Sequence, residues 1–273
     1  MGKFDNIIIV SDIDFTFLAK DKSVPQNNLD AIKYFQSEGG RFTFATGRSH
    51  LTLLKTFPNA KELLNAPAIL SNGGYLYDYR SEETISPMFL DKELALSIAH
   101  FVEVTLPDTG MRMLTPETTL YGLSNKYIEY ERSQPWARGL YTYQAPEHWT
   151  GENWFKIVVR DDPDKLDLLR SKIQEEFKEC DLELCKSESD FLEIQGKGCH
   201  KGRGIKYLKE HYLRGDSELK IYACGDYEND LVMLSVADVA VCPSNAHESV
   251  KKIANMCLCS CDEGVIANLI DKL

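Results

Sequence analysis

No apolar run in this chain of 273 residues approaches the ~20 residues that a membrane-spanning helix needs. The N-terminus also lacks a basic stretch leading into an apolar signal core, and although Met1-Gly2 opens like a myristoylation signal, Asn6 fills the position that requires Ser or Thr. A surplus of positive charge is missing too. The formal net charge of −11 excludes a general nucleic-acid or anionic-membrane binder, which needs a basic footprint. Cysteine is absent until Cys180, and the eight present (180, 185, 199, 224, 242, 257, 259 and 261) form no CxxC pair and meet no His-x3-5-His partner. Most read as small buried hydrophobes. Alternation along a strand would set Cys257, Cys259 and Cys261 on one face. No repeat or low-complexity tract appears, and the six histidines are scattered. These absences leave an expected cytoplasmic globular protein, with 43% hydrophobic and 27% charged residues and enough length for one large domain or two modest ones.

The most informative stretch is Ile7-Ile8-Ile9-Val10-Ser11-Asp12-Ile13-Asp14-Phe15-Thr16. Apolar residues rich in β-branching, with no polar alternation, read as a strand buried on both faces of a parallel sheet. Ligands of such sheets bind beyond the carboxyl ends of the strands, where Asp12 and Asp14 fall. Two carboxylates so close repel unless a cation, a hydrogen bond or a proton intervenes, so the pair points either to a divalent metal with acid–base work or to a solvated turn.

The first third alternates strand and helix: a helix over 26–38 carrying Leu29, Ile32, Tyr34 and Phe35, a strand over 41–45, a helix over 49–57 and an apolar run over 68–70, closed by Ser71-Asn72-Gly73-Gly74. From about 84 to 193 the pattern shifts to shorter strands (111–114, 119–123, 154–159) and helices near 92–104 and 164–178. Regular alternation then resumes with a helix over 201–212, a strand over 219–224, a helix near 229–235, a strand over 239–241 and a last helix near 263–273. The expectation is an α/β fold with a parallel-sheet core (1–83 and 196–273) and an inserted α+β domain (84–195).

The resumed segment repeats the opening grammar, since Lys220-Ile221-Tyr222-Ala223-Cys224 runs into Gly225-Asp226-Tyr227-Glu228-Asn229-Asp230. Two parallel strands ending in Asp bring Asp12, Asp14 and Asp226 toward one ion, while a helix cap with an acidic first turn explains Asp226 and Asn229 equally well. Thr46-Gly47-Arg48 follows the second strand and offers a hydroxyl and backbone N–H groups to phosphate oxygens. Lys201 opens its helix and can neutralise charge built up in phosphoryl transfer.

In that order, Asp12-x-Asp14-x-Thr16, Thr46-Gly47-Arg48, Lys201 and Gly225-Asp226-x-x-Asn229-Asp230 resemble the haloacid dehalogenase-like superfamily, and within it the Cof-type sugar phosphatases with a C2 cap. Ser71-Asn72-Gly73-Gly74, Asn245-Ala246-His247-Glu248 and Asp262-Glu263-Gly264-Val265 add to the likeness. The resemblance implies a Rossmann-like core, a cap that lies over the site and selects substrate, and Mg2+-dependent hydrolysis of small phosphorylated metabolites. It assigns Asp12 as nucleophile and Asp14 as proton shuttle. Mg2+ would be held by the Asp12 side chain, the Asp14 backbone carbonyl and Asp226, supported by Asp230. Thr46, Gly47, Arg48 and Lys201 would hold phosphate, with Asn229 orienting Lys201 or the substrate and Asn72 meeting a sugar hydroxyl. A phosphomutase and a catalytically impaired binding module are the alternatives. Trp136, Arg138, Trp154, Lys156 and Arg160 are cap candidates for substrate contact, against the ordinary reading of such aromatics as core. One residue departs from the pattern: Phe15 stands where most relatives have Gly, and altered substrate shape rather than lost catalysis is expected.

Overall fold

In a computed structural model, which describes residues 2–212 and 219–273, the chain gathers into two compact units: Met1–Arg48, Phe57–Ser86 and His200–Leu273 form one, and Ser49–Thr56 with Pro87–Cys199 the other. The fold is α/β. The first unit is built on a parallel sheet of five strands in the order Met256–Cys257, Val239–Cys242, Lys220–Cys224, Ile7–Ser11, Arg41–Phe44. Ile8, Ile9 and Val10 are wholly buried because their strand is flanked on both sides and covered on both faces. Below it pack Ile205 and Leu208 of the helix Lys201–Tyr212 and Met233 and Leu234 of the helix Leu231–Val236. Phe17, Phe42, Phe44 and Phe57 form a ring cluster, with centroids 4.9 to 6.1 Å apart.

Register decides where the chemistry can sit. Ser11 pairs with both Cys224 and Phe44, so three strands end level and release Asp12, Gly225-Asp226 and Ala45-Thr46 at one edge of the sheet. Backbone bonds lock that edge: Asp12 N–H donates to the Cys224 carbonyl at 2.8 Å and Ala45 N–H to the Ser11 carbonyl at 2.8 Å. A small antiparallel sheet, Ala68–Leu70, Tyr75–Asp78 and Glu83–Ile85, joins this edge through a parallel bridge from Ala45 to Ile69.

The second unit is α+β, with six strands in the order Leu182–Glu188, Phe191–Gly196, Lys156–Arg160, Gly110–Leu114, Thr119–Leu123, Tyr141–Tyr143. Period-two alternation sorts its faces. Met111, Met113, Ile157, Val159, Leu192 and Ile194 meet the helices Lys92–Thr105 and Pro163–Glu176. Lys156, Arg160 and Glu193 point the other way and are buried as ion pairs, Lys156 with Glu193 and Arg160 with Glu131 and Asp190.

Several expectations need correcting. The helix read at 49–57 is His50–Thr56, and it belongs with the second unit, where it packs on Pro135–Ala137 and Lys55 donates to the Arg138 carbonyl. The strand Met256–Cys257 ends at the first of the closely spaced cysteines, so Cys257, Cys259 and Cys261 do not share a strand face: they are exposed, half-buried and buried in turn. The last helix is only Val265–Ile270, because Gly264 at φ 93° sets its start and the chain turns off at Asp271. Trp154 is core, packing edge-on to Trp149, whereas Arg138 is exposed. The side chain of Trp136 lies outside the described set. Among the described residues no helix is long and apolar enough to cross a membrane.

Candidate active site

The level strand ends bring three carboxylates together around one ammonium. Lys201 Nζ, wholly buried at the start of its helix, donates to Asp12 Oδ1 and to Asp230 Oδ1, both at 2.6 Å. Asp230 uses its other oxygen locally, accepting from Asp226 N–H at 2.9 Å and Tyr227 N–H at 3.3 Å, which folds the acidic loop back on itself. Gly225 makes room for this, since a Cβ there would come within 2.5 Å of the Asp230 carboxyl carbon. Asp226 Oδ1 accepts from the Thr16 hydroxyl at 2.9 Å, tying the first strand's loop to the third's.

Three carboxylates against one lysine is an unbalanced account. Burial pushes the Asp12 carboxyl up to about 7: Lys201 works against that rise, Asp230 and Asp14 with it. Burial, with Asp12 and Asp230 nearby, pushes Asp226 up to about 8 despite the Thr16 hydrogen bond. Lys201 moves the other way, since Asp12 and Asp230 outweigh burial and hold its ammonium above the ordinary lysine range.

Asp14, two residues from Asp12, has different company. Arg48 grips both of its oxygens, Nη2 at 2.8 and 2.9 Å and Nε at 3.2 Å, and Lys22 Nζ donates at 3.0 Å. Burial acts against its charge, but Arg48 and Lys22 outweigh it and hold the carboxyl below its ordinary value. Two neighbouring acids are therefore pushed in opposite directions, which is how one site assigns two roles to one residue type. Phe15, between this pair and Thr16, takes φ 58° and ψ 8°, the left-handed region that Gly enters freely and a bulky residue enters at about 1–3 kcal/mol. Its carbonyl accepts from Asn245 Nδ2 at 2.9 Å and its ring lies 4.2 Å from the Lys22 ammonium.

Beside these, Thr46 is buried past its strand and its hydroxyl accepts from Arg48 N–H at 3.3 Å across Gly47. Behind it, Asn72 N–H donates to the Thr46 carbonyl at 2.9 Å and Ser71 N–H to the Arg48 carbonyl at 2.9 Å. Ser71 and Asn72 both have left-handed backbones, φ 49° and 52°, and Gly73 follows at 91°, where a Cβ would strike the His200 carbonyl oxygen at 2.1 Å. Asn229 Nδ2 reaches Asn72 Oδ1 at 3.2 Å. Hydrogen bonds thus join Asp12, Lys201, Asp226 and Asp230 into one set and Asp14, Arg48, Thr46, Asn72 and Asn229 into a second. Arg48 spends its guanidinium on Asp14. Sequence reasoning assigned no role to Lys22, Asn245 or the Thr16 hydroxyl; the available signals were Thr16 in the Asp12-x-Asp14-x-Thr16 motif, the Asn245-Ala246-His247-Glu248 stretch, and Phe15 at a glycine position with Lys22 a short loop away.

The donor set tests for a metal. The ligand oxygens of Asp12, Asp226 and Asp230 lie within 4.8 Å of one another. All are hard oxygen donors, and the raised acids Asp12 and Asp226 show a demand for positive charge that Lys201 leaves unmet. A small hard divalent cation fits that demand. Asp230, with both oxygens engaged, builds the loop that such an ion would use.

A family model described as haloacid dehalogenase-like hydrolase matches residues 9–270. A 5-amino-6-(5-phospho-D-ribitylamino)uracil phosphatase of Bacillus subtilis is 27% identical, with 97% of each chain covered. A pyridoxal phosphate phosphatase of Escherichia coli is 27% identical over 91% of this chain and 92% of its own. A solved subclass IIB sugar phosphatase of the superfamily superposes with a TM-score of 0.83 at 19% identity, covering 97% and 98% of the two chains, a likeness of fold.

Proposed function

The chain belongs to the haloacid dehalogenase-like hydrolase family, and we propose that within it the protein is a Mg2+-dependent phosphatase of small phosphorylated metabolites, sugar phosphates among them. The observation that carries this reading is the contrast in surroundings between Asp12 and Asp14, one buried against Lys201 in a carboxylate cluster, the other clamped by two cations. The phosphatase activities named for the Bacillus subtilis and Escherichia coli relatives and for the sugar phosphatase of like fold support it.

Asp12 attacks phosphorus through a carboxylate oxygen while the bond from phosphorus to the leaving oxygen breaks, giving an aspartyl-phosphate and splitting one hard displacement into two easier ones. Arg48 and Lys22 hold Asp14 ionised in the free site, so it takes up a proton as substrate binds, hands it to the departing alkoxide, and then takes one from the water that attacks the aspartyl-phosphate, releasing inorganic phosphate and restoring Asp12. Lys201 and the Thr46 hydroxyl, with Gly47 N–H, hold phosphoryl oxygens, and Arg48 keeps Asp14 in place. Asn229 and Asn72 act as a linked pair toward Lys201 and the substrate hydroxyls. The Asp12 and Asp226 side chains, with the Asp14 backbone carbonyl, would hold Mg2+, and Asp230 supports them. Bound there, the ion supplies positive charge against the phosphate and keeps Asp12 ionised. The inserted domain (84–195), which makes up most of the second unit, we assign to substrate selection as the cap, and the eight free thiols suit a reducing, cytoplasmic setting.

The test is phosphate release from a panel of sugar phosphates and other phosphomonoesters, with Mg2+ and with chelator, comparing wild type and Asp12→Asn. Metal-dependent release that Asp12→Asn abolishes is the expected result. Isomerised ester without free phosphate would replace the phosphatase by a mutase, and binding without any turnover would leave only a ligand-binding module.

A further inference from the structure

The cation that the mechanism leaves unused is Lys22. Arg48 grips both Asp14 oxygens, so the Lys22 contact at 3.0 Å adds a second positive charge to a carboxylate already paired, and the local sum of Arg48, Lys22 and Asp14 is +1 in a protein of net charge −11. It is also the more accessible of the two cations: 49% of its side chain is exposed, against 20% for Arg48.

An exposed lysine ordinarily samples many rotamers, but this one is seated. Its ammonium stands 4.2 Å from the centre of the Phe15 ring. Phe15 holds its left-handed conformation with its carbonyl pinned by Asn245, whose side-chain oxygen in turn accepts from Cys261 N–H at 2.9 Å. Lys22 itself is left-handed, φ 66°, at a turn closed by its N–H on the Ala19 carbonyl at 2.9 Å. Two strained residues thus converge on one ammonium, and strain kept at a site argues for a role there.

We propose that Lys22, seated on Phe15, is a specificity-determining residue that recognises a second anionic group, a carboxylate or a further phosphate, on the part of the substrate that leaves as the alcohol. The inference rests on the phosphatase reading above and names its substrate class. Because Asp14 delivers the proton to the leaving oxygen, a cation 3.0 Å from its carboxylate lies alongside the leaving group and not the transferred phosphoryl. Phe15 sets the height of that cation and fills space that Gly would leave open, favouring compact acidic leaving groups over bulky neutral ones.

The experiment uses the full chain and a matched pair, 3-phosphoglycerate and glycerol 3-phosphate, which share a skeleton and differ by carboxylate against hydroxymethyl. The ratio of their kcat/KM values is measured with Mg2+, and the ratio of their Kd values on Asp12→Asn, for Lys22 and its variants. Lys22→Met is expected to lower both ratios about tenfold, the scale of one half-exposed charged contact, with Lys22→Arg restoring most of the preference and Phe15→Gly losing part of it. Equal losses on both esters, or no preference to begin with, would overturn the proposal by showing that Lys22 serves Asp14 alone. A binding preference that Lys22→Met removes, in a protein that releases no phosphate, would uphold this inference and sink the phosphatase reading instead.

Discussion

Charge is buried in both units of the molecule, and the two handle it in opposite ways. In the second unit the buried charges balance: Lys156 meets Glu193, and Arg112 and Arg160 meet Glu131 and Asp190 on one face of the sheet. At the strand ends of the first unit they do not, because Asp12, Asp226 and Asp230 crowd around Lys201 alone. A balanced set is finished structure; an unbalanced one still needs a positive partner. Local charge balance thus separates scaffold from site where burial and residue type look alike.

Substitution should break the two regions in different currencies. Asp12→Asn is expected to lower phosphate release by roughly a thousandfold or more, as loss of a covalent nucleophile does, with circular dichroism showing the fold retained. In the second unit the damage should fall on stability. Glu193→Leu takes from the buried Lys156 ammonium the carboxylate it meets, which costs about 3–5 kcal/mol, whereas replacing both partners (Lys156→Met with Glu193→Leu) should recover most of that in urea unfolding. A double variant no more stable than the single one would show that the pair is not an isolated unit.

The imbalance also has a pH signature. Asp12 and Asp226 titrate above the ordinary carboxylate value, so the folded protein binds more protons than the unfolded chain, and without metal its stability should fall as pH rises from about 4 and level off above about 8. Mg2+ needs the deprotonated pair. Its stabilisation should therefore grow over the same range, from near zero at about pH 5 to a rise of about 2–5 °C in Tm by about pH 8. Asp226→Asn should abolish that increment; an equal increment at both pH values would place the ion elsewhere.

How far the sequence reveals this depends on whether a feature is local. The strand Ile7–Ser11 and the acids after it were legible because an apolar run and its end are written in consecutive residues, and the same holds for Lys220–Cys224 and its acidic loop. The hairpin Leu182–Glu188 with Phe191–Gly196 was missed because Glu183, Lys186 and Glu193 interrupt the apolar pattern, and their partners lie on other elements. The helix His50–Thr56 was placed with the wrong unit since its packing partner is some eighty residues away in sequence. Arg48 was expected at the phosphate, and nothing near it in sequence announces Asp14 as a partner of its guanidinium. Lys22 carries no signal in the sequence: only the fold shows that Phe15 and Lys22 both turn left-handed and meet.

The smallest effect tests that last point. Phe15 and Asn153 are both left-handed, at φ 58° and 65°, one beside the site and one in the second unit. Asn enters that region with little penalty because its short polar side chain bonds locally, whereas Phe does not. Alanine at position 15 removes the ring but keeps a Cβ in the forbidden conformation, and glycine removes both, at the expense of a more flexible unfolded chain. Phe15→Gly is therefore expected to be more stable than Phe15→Ala by about 0.5–1 kcal/mol, while Asn153→Gly stays within about 0.5 kcal/mol of wild type, both read from denaturant midpoints. If Phe15→Ala proved the more stable, the backbone at Phe15 would not be strained, and the ring would sit there at no energetic sacrifice; the retained strain at the site is what links Phe15 to the seating of Lys22.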